Sequence, residues 1–314
     1  MPSKNLSRRN WLKNAGLLST GISSLAMGST AFTHPSSPQP LGDAADEEEQ
    51  VVRLLYNENP YGPPASALAK VMAVANRANR YPTFSTYDFN ALRRKIVAEE
   101  GLTEDHVLLG HGSFQPIIWL AEHFRSEEGE IIVPSPTFDI VGMYGRRLNA
   151  RIKAIEVNDK LEMNLEEMAR VVNSQTTLVC LCNPNNPTGT LTDPARMRDF
   201  CASVSNQCPV LVDEAYLQYT DLYDDWRAAS MVDQIKAGKN VIVSRTFSKI
   251  YGMAGFRIGY LLGQPELIKQ LNDRFTLGFP GNMPNTISVA AAIGAMDDVN
   301  FLDRSRQQNA LVRA

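Results

Sequence analysis

The chain has 314 residues, 44% hydrophobic and 21% charged, a balance that suits a globular enzyme with a large core and room for a subsidiary domain. Its formal net charge of −3 falls to −7 once the four basic residues of positions 1–31 (Lys4, Arg8, Arg9, Lys13) are set aside, since that stretch holds no acid. Such a surface lacks the basic footprint of a nucleic-acid binder.

The first segment, Ser7-Arg-Arg-Asn-Trp-Leu-Lys13, precedes a weakly apolar stretch from Ala15 to Ala31 that ends in small residues. It looks like a twin-arginine signal with Trp11 where Phe is usual, and it is too short and too rich in Gly, Ser and Thr to span a membrane well. Residues 1–31 are therefore expected to be a signal peptide and the protein to be exported to the periplasm; a basic cytoplasmic N-terminus is the alternative. Residues 32–50, with His34-Pro-Ser-Ser-Pro-Gln-Pro40 and an acidic run from Asp43 to Glu49, show no apolar periodicity and read as a flexible leader.

From residue 51 onward short apolar runs alternate with amphipathic stretches. An arm over 51–62 precedes strands expected at Val107–Leu109, Glu130–Val133, Arg151–Val157, Thr177–Cys182, Pro209–Val212, Val241–Ser244 and Ile258–Leu262. Helical patterns fall at about 63–79, 86–100, 114–125, 137–147, 164–173, 193–206 and 264–275. The alternation predicts an α/β fold with a mostly parallel sheet sandwiched by helices, over 63–298, followed by the start of a smaller unit at 299–314.

Four cysteines, Cys180, Cys182, Cys201 and Cys208, have no zinc-ligand spacing, and no metal site is expected. Cys180 and Cys182 alternate on one predicted strand and share a face, while Cys201 and Cys208 flank a helix end where an oxidising compartment would permit a bridge. Buried free thiols are the expected state.

In parallel sheets ligands sit beyond the carboxyl ends of strands, and Asn186, Asp213 and Lys249 each fall just after an apolar run. Lys249 is preceded by Ser248 and followed eight residues later by Arg257, among glycines that let backbone and ligand approach closely. That arrangement suits a reactive amine beside a phosphate clamp.

Several separated motifs occur in order: Tyr56-Asn-Glu-Asn-Pro-Tyr-Gly62, Asn79-Arg-Tyr-Pro82, Gly110-His-Gly-Ser113, Pro134-Ser-Pro-Thr-Phe138, Asn183-Pro-Asn-Asn-Pro-Thr-Gly189, Val212-Asp-Glu-Ala-Tyr216 and Ser244 to Tyr260. Together they resemble the fold-type I pyridoxal 5'-phosphate (PLP) aminotransferases, nearest the histidinol-phosphate aminotransferase branch of class I/II. The resemblance implies that 63–298 is the PLP-binding large domain and that Lys249 forms the Schiff base with the cofactor aldehyde and then shuttles the substrate proton. It implies Asp213 opposite the ring nitrogen, Asn186 and Tyr216 at the phenolic oxygen, and Phe138 stacked on the ring where many relatives carry Tyr. Gly112, Ser113 and Phe114, through backbone N–H groups, would hold the phosphate with Ser248 and Arg257. Tyr81 resembles a tyrosine that reaches a neighbouring subunit's phosphate, which implies a homodimer. Asn59 and Tyr61 are weaker candidates for substrate contacts.

Two departures follow. Relatives place acidic residues where this chain has Phe114 and Gln115. The family also continues beyond the helix resembling Asn300–Asn309 into a small domain that supplies an arginine for the substrate carboxylate, so a truncated C-terminus is expected here. The expected reaction is transamination between an amino acid, or a phosphorylated amine such as histidinol phosphate, and a 2-oxo acid. A PLP lyase or decarboxylase on the same scaffold, or a degenerate non-catalytic PLP-binding protein, are the alternatives. The expected partners are these small molecules, with no nucleic acid and no stable membrane insertion after signal removal.

Overall fold

The computed structural model describes residues 55–82, 89–276 and 283–313. The proposed signal and leader, and the start of the arm at 51–54, lie outside the described residues. Leu54–Ala314 form one compact unit. Among the described residues, no helix is long and apolar enough to cross a membrane.

The seven apolar runs form strands β1 (Val107–Gly110), β2 (Glu130–Ser135), β3 (Arg151–Glu156), β4 (Thr176–Cys182), β5 (Val210–Asp213), β6 (Val241–Thr246) and β7 (Gly259–Leu262). They make a single sheet in the order β1-β7-β6-β5-β4-β2-β3. The pairs β2–β3, β2–β4, β4–β5 and β5–β6 are parallel, and β7 runs against both β1 and β6. Strands β5 and β6 are buried along their whole length, which is why they read as continuous apolar runs rather than alternating ones. Val210, Val212, Val241 and Val243 pack into the core on one face of the sheet. Leu178, Cys180, Leu211 and Ile242 pack into the core on the other.

Helices cover both faces: α1 (Ala65–Val74), α2 (Phe89–Glu100), α3 (Phe114–His123), α4 (Ile140–Arg147), α5 (Leu165–Val171), α6 (Pro194–Val204), α7 (Val232–Lys236), α8 (Pro265–Phe275), α9 (Thr286–Asp297) and α10 (Phe301–Arg313). Local chemistry sets their starts. Asn164 Oδ1 accepts from the Glu167 N–H at 3.2 Å to cap α5, and Asp193 Oδ1 accepts from the Arg196 N–H at 3.0 Å to cap α6, whose first residue is Pro194. Helix α4 begins at Ile140, later than the sequence pattern predicts, because residues 137–139 turn out of β2 and leave Phe138 outside the helix. Helix α9 is buried almost all round. Its Gly294 meets α1 so closely that a Cβ there would lie 2.5 Å from the Ser66 carbonyl oxygen.

All four cysteines are free and buried, as expected. Burial pushes the Cys201 thiol up to about 12 and the Cys208 thiol to about 11, so neither forms a nucleophilic thiolate near neutral pH.

Beneath the ends of β5 and β6 lies a buried ion cluster. Arg245, 2% exposed, donates from Nε and Nη2 to Glu214 Oε2 at 3.0 and 2.8 Å and from Nη1 to Glu100 Oε1. Its guanidinium stacks 4.6 Å from the Trp226 ring centroid, and Ser230 and the Met231 N–H supply further donors to Glu214. Arg245→Met strands two buried carboxylates, and a loss of about 3–5 kcal/mol is expected. Urea unfolding of the two proteins measures it, and a loss below about 1 kcal/mol would show that the cluster does not hold the strands.

Candidate active site

Strands β4, β5 and β6 end at the same edge, and the residues just past those ends enclose a cavity of about 500 Å³, the size of a cofactor site. Asn186 follows β4; Asp213 ends β5 and is followed by Tyr216; Thr246 ends β6 and is followed by Ser248 and Lys249; Arg257 lies in the turn before β7. Ser113 and Phe114, at the start of α3, and Phe138 complete one side, and Tyr56, Asn57 and Glu58 of the arm form the other. Every predicted site residue lines the cavity except Gly112, which abuts it through Arg257, and Tyr81, which is 78% exposed on the surface.

Asp213 is 6% exposed. Its Oδ1 accepts from Ser244 Oγ at 2.7 Å and from the Ala215 N–H at 3.2 Å. Burial outweighs these bonds and the nearby Lys249 charge, so the carboxyl is pushed up from 3.8 to about 6. Glu214 points to the opposite face, into the Arg245 cluster, and takes no part in the cavity.

Lys249 Nζ donates to the Tyr56 carbonyl at 2.6 Å and to the Asn57 carbonyl at 3.4 Å, and lies 5.4 Å from the Tyr216 ring centroid. Burial lowers its pKa below the ordinary lysine value, Asp213 and Glu58 oppose that, and Arg257 adds to it. The net direction favours the free amine that nucleophilic and base chemistry require. Tyr216 receives a bond from Asn57 Nδ2 at 3.0 Å on its hydroxyl oxygen, and burial raises its pKa, so it stays a neutral donor.

At the other end Arg257 adopts a left-handed conformation (φ 52, ψ 61), which turns its guanidinium back over the sheet edge. Nη1 donates to Ser248 Oγ at 3.3 Å and to the Ala254 carbonyl at 2.9 Å. Gly112, at φ +69, faces it, and a Cβ there would sit 2.5 Å from Arg257 Nη2. A Cβ on Gly259 would meet the Ser113 backbone nitrogen at 2.4 Å, so Gly259 is required by close approach and Gly112 by its positive φ. Ser113 caps α3 without a side-chain cap bond, which leaves the first N–H groups of a ten-residue helix for an anion.

The two asparagines before Pro187 have different surroundings. Asn185, 2% exposed, is consumed by the loop, donating to the Pro136 carbonyl at 3.0 Å and accepting from Thr137 Oγ1 at 2.7 Å. Asn186 lines the cavity. Gln115 accepts from the His111 N–H at 3.0 Å and so fastens the turn before α3.

The contributions of Asn57, Thr246 and the Tyr56 carbonyl are absent from the sequence reading. Thr246 Oγ1 donates to Ser248 Oγ at 2.9 Å and accepts from the Ser248 N–H at 3.1 Å. Tyr56 and Asn57 depend on long-range docking of the arm. Asn59 Nδ2 donates to the Ile250 carbonyl at 3.0 Å, and a Cβ on Gly252 would meet the Gly62 carbonyl oxygen at 2.1 Å. The motif Tyr56–Gly62 was the available signal. Asn59 thus anchors the arm, and Tyr61 is 53% exposed beside it.

This donor set fits PLP. A guanidinium, two hydroxyls and free helix N–H groups answer a phosphate, a buried carboxylate answers a ring nitrogen, Phe138 offers a flat aromatic face, and the Lys249 amine answers an aldehyde.

The chain matches the family "Aminotransferase class I and II" over residues 49–313. It is 37% identical over 276 residues to histidinol-phosphate aminotransferase 1 of Cupriavidus pinatubonensis, an alignment that covers 86% of this chain and 70% of that protein. Its identity to the histidinol-phosphate aminotransferase of Shouchella clausii is 32% over 286 residues, covering 89% and 74%. Among solved structures, histidinol-phosphate aminotransferase from Sinorhizobium meliloti in complex with pyridoxal-5'-phosphate is similar with a TM-score of 0.72 at 25% identity, covering 81% of this chain and 66% of that one.

Proposed function

We propose, from the premise that this chain belongs to the class I and II aminotransferases, that Lys249 binds the PLP aldehyde and moves the substrate proton, with Asp213 and Arg257 fixing the two ends of the cofactor. The protein is a PLP-dependent transaminase. Bound PLP supplies an aldehyde for the substrate amine and a ring that accepts the electron pair left when the Cα–H bond breaks. The convergence of amine, carboxylate and guanidinium on one cavity carries the assignment of roles.

Lys249 Nζ, kept toward its neutral form by burial, accepts the proton from the substrate α-carbon. Asp213 holds a proton on the ring nitrogen through its carboxylate. Asn186 and Tyr216 would donate to the cofactor's phenolic oxygen, and Phe138 would offer its aromatic face to the ring. Arg257, Ser248 and the α3 N–H groups bind the phosphate.

A neighbouring cavity of about 560 Å³ shares Asn57, Glu58, Asn186 and Tyr216 and extends to Tyr219, Asp221 and Arg313. We assign this side to the amine substrate and the 2-oxo acid. The names of the relatives point to an amine of the histidinol phosphate kind. Tyr81 and the exposed apolar residues Leu68 and Met72 of α1 support a homodimer in which Tyr81 serves the partner's phosphate. The Arg8-Arg9 segment supports export of the folded enzyme.

Mixing the PLP-loaded protein with an amino acid and a 2-oxo acid tests the reading. Transamination requires a change in the visible absorbance on adding the amine and release of the matching 2-oxo acid; carbon dioxide or ammonia as product would assign a lyase instead. Arg257→Gln is expected to weaken PLP binding roughly 10- to 100-fold, the worth of a charged donor to phosphate, while thermal unfolding of the apoprotein stays unchanged. Fluorescence titration of the apoprotein with PLP measures it, and an unaltered affinity removes Arg257 from the clamp.

A further inference from the structure

We infer that Ser244 is a positioning residue for the reaction: its hydroxyl fixes one oxygen of the Asp213 carboxylate and leaves the other for the cofactor's ring nitrogen. The inference rests on the reading of Asp213 given above.

Strands β5 and β6 are parallel with Asp213 directly opposite Ser244. Leu211 and Ile242, two residues back on each strand, belong to the apolar core of the same sheet face. Ser244 is therefore a hydroxyl, 0% exposed, at a position the fold otherwise fills with an aliphatic side chain. A buried hydroxyl is costly unless it is bonded, and its bond is to Asp213 Oδ1 at 2.7 Å, within the short range of an O–H donor on an ionised oxygen. The Ala215 N–H lands on the same oxygen at 3.2 Å. Both donors thus fall on Oδ1, and Oδ2 is left for the cavity that Asp213 lines.

On the opposite face the residues that follow Asp213 and Ser244, Glu214 and Arg245, are joined by bonds of 3.0 and 2.8 Å. The spacing between Asp213 and Ser244 is therefore held from both sides of the sheet. A donor to the carboxylate stabilises its charged form and opposes the effect of burial on Asp213. Removing the hydroxyl shifts the proton shared between Asp213 and the ring nitrogen toward Asp213, and Cα–H cleavage slows as the ring loses its charge.

The test uses the PLP-loaded enzyme with ¹⁵N in the cofactor ring, in Ser244→Ala, Ser244→Thr and Ser244→Val. Thr and Val differ only by hydroxyl against methyl, so any packing disturbance is common to both. In Ala and Val the ring ¹⁵N resonance at neutral pH is expected to move toward its unprotonated value, and the single-turnover rate with an amino acid to fall roughly ten-fold, with a larger isotope effect from an α-deuterated substrate. Thr is expected to keep both near wild type. Equal behaviour of Thr and Val, or an unmoved resonance in Ala, overturns the role of Ser244. Asp213→Asn is the companion variant: if it too leaves the resonance unmoved, the assignment of Asp213 itself fails, whereas a shift there with none in Ser244→Ala refutes only the present inference.

Discussion

Lys249→Ala is expected to lower kcat by about 10⁴-fold or more, because one side chain supplies both the nucleophile and the proton carrier. The location of the amine makes the case. It sits 2.6 Å from the Tyr56 carbonyl under the docked arm, with burial lowering its pKa and Arg257 reinforcing that effect. Activity of the wild type should therefore rise with pH through a lysine pKa below the ordinary value, since the reactive form is the unprotonated one. The alanine variant should lose that limb of the profile along with the rate. Steady-state rates against pH, with PLP saturating, decide it; residual activity within about ten-fold of wild type would mean that another group carries the proton.

Asp213→Asn is expected to have two opposed effects. Transamination should fall by about 10²–10⁴-fold, the scale on which a positioned charge or acid–base group acts, because an amide cannot keep the ring nitrogen protonated. Stability of the cofactor-free protein should move the other way. Folding raises the Asp213 pKa from 3.8 to about 6, so the native state holds the proton more tightly than the unfolded chain does. The stability this group offers is present below 3.8 and is lost as pH rises through about 6. At neutral pH the buried carboxylate therefore costs about 3 kcal/mol, which the asparagine variant regains. Thermal unfolding of the two apoproteins between pH 4 and pH 8 measures the gap; a gap that widens toward acid reverses the sign and refutes the account. A site that weakens its own fold in this way marks a group retained for chemistry rather than for packing.

The sheet was legible because six of its strands are buried along most of their length and read as short apolar runs, and all seven strands, the largely exposed edge strand β3 included, fall within about two residues of their expected bounds. Lys249, Asp213 and Asn186 were legible for a related reason, each standing just beyond such a run. Helix α9 was hidden because periodicity needs a solvent-facing side, and its Val, Ala and Ile residues are buried around the whole circumference. Ser244 was hidden as well. A serine inside an apolar strand has no local meaning until the register sets it opposite Asp213. The arm's contacts with Lys249 and Tyr216 join residues about 190 and 160 positions apart, a distance no local pattern spans.

The most direct test of the central claim is to reduce the PLP-loaded protein with borohydride, digest it and locate the phosphopyridoxyl mass. The account predicts a single labelled peptide carrying the cofactor on Lys249 Nζ. Label on any other lysine, or a protein that takes up PLP and yields no labelled peptide, contradicts it.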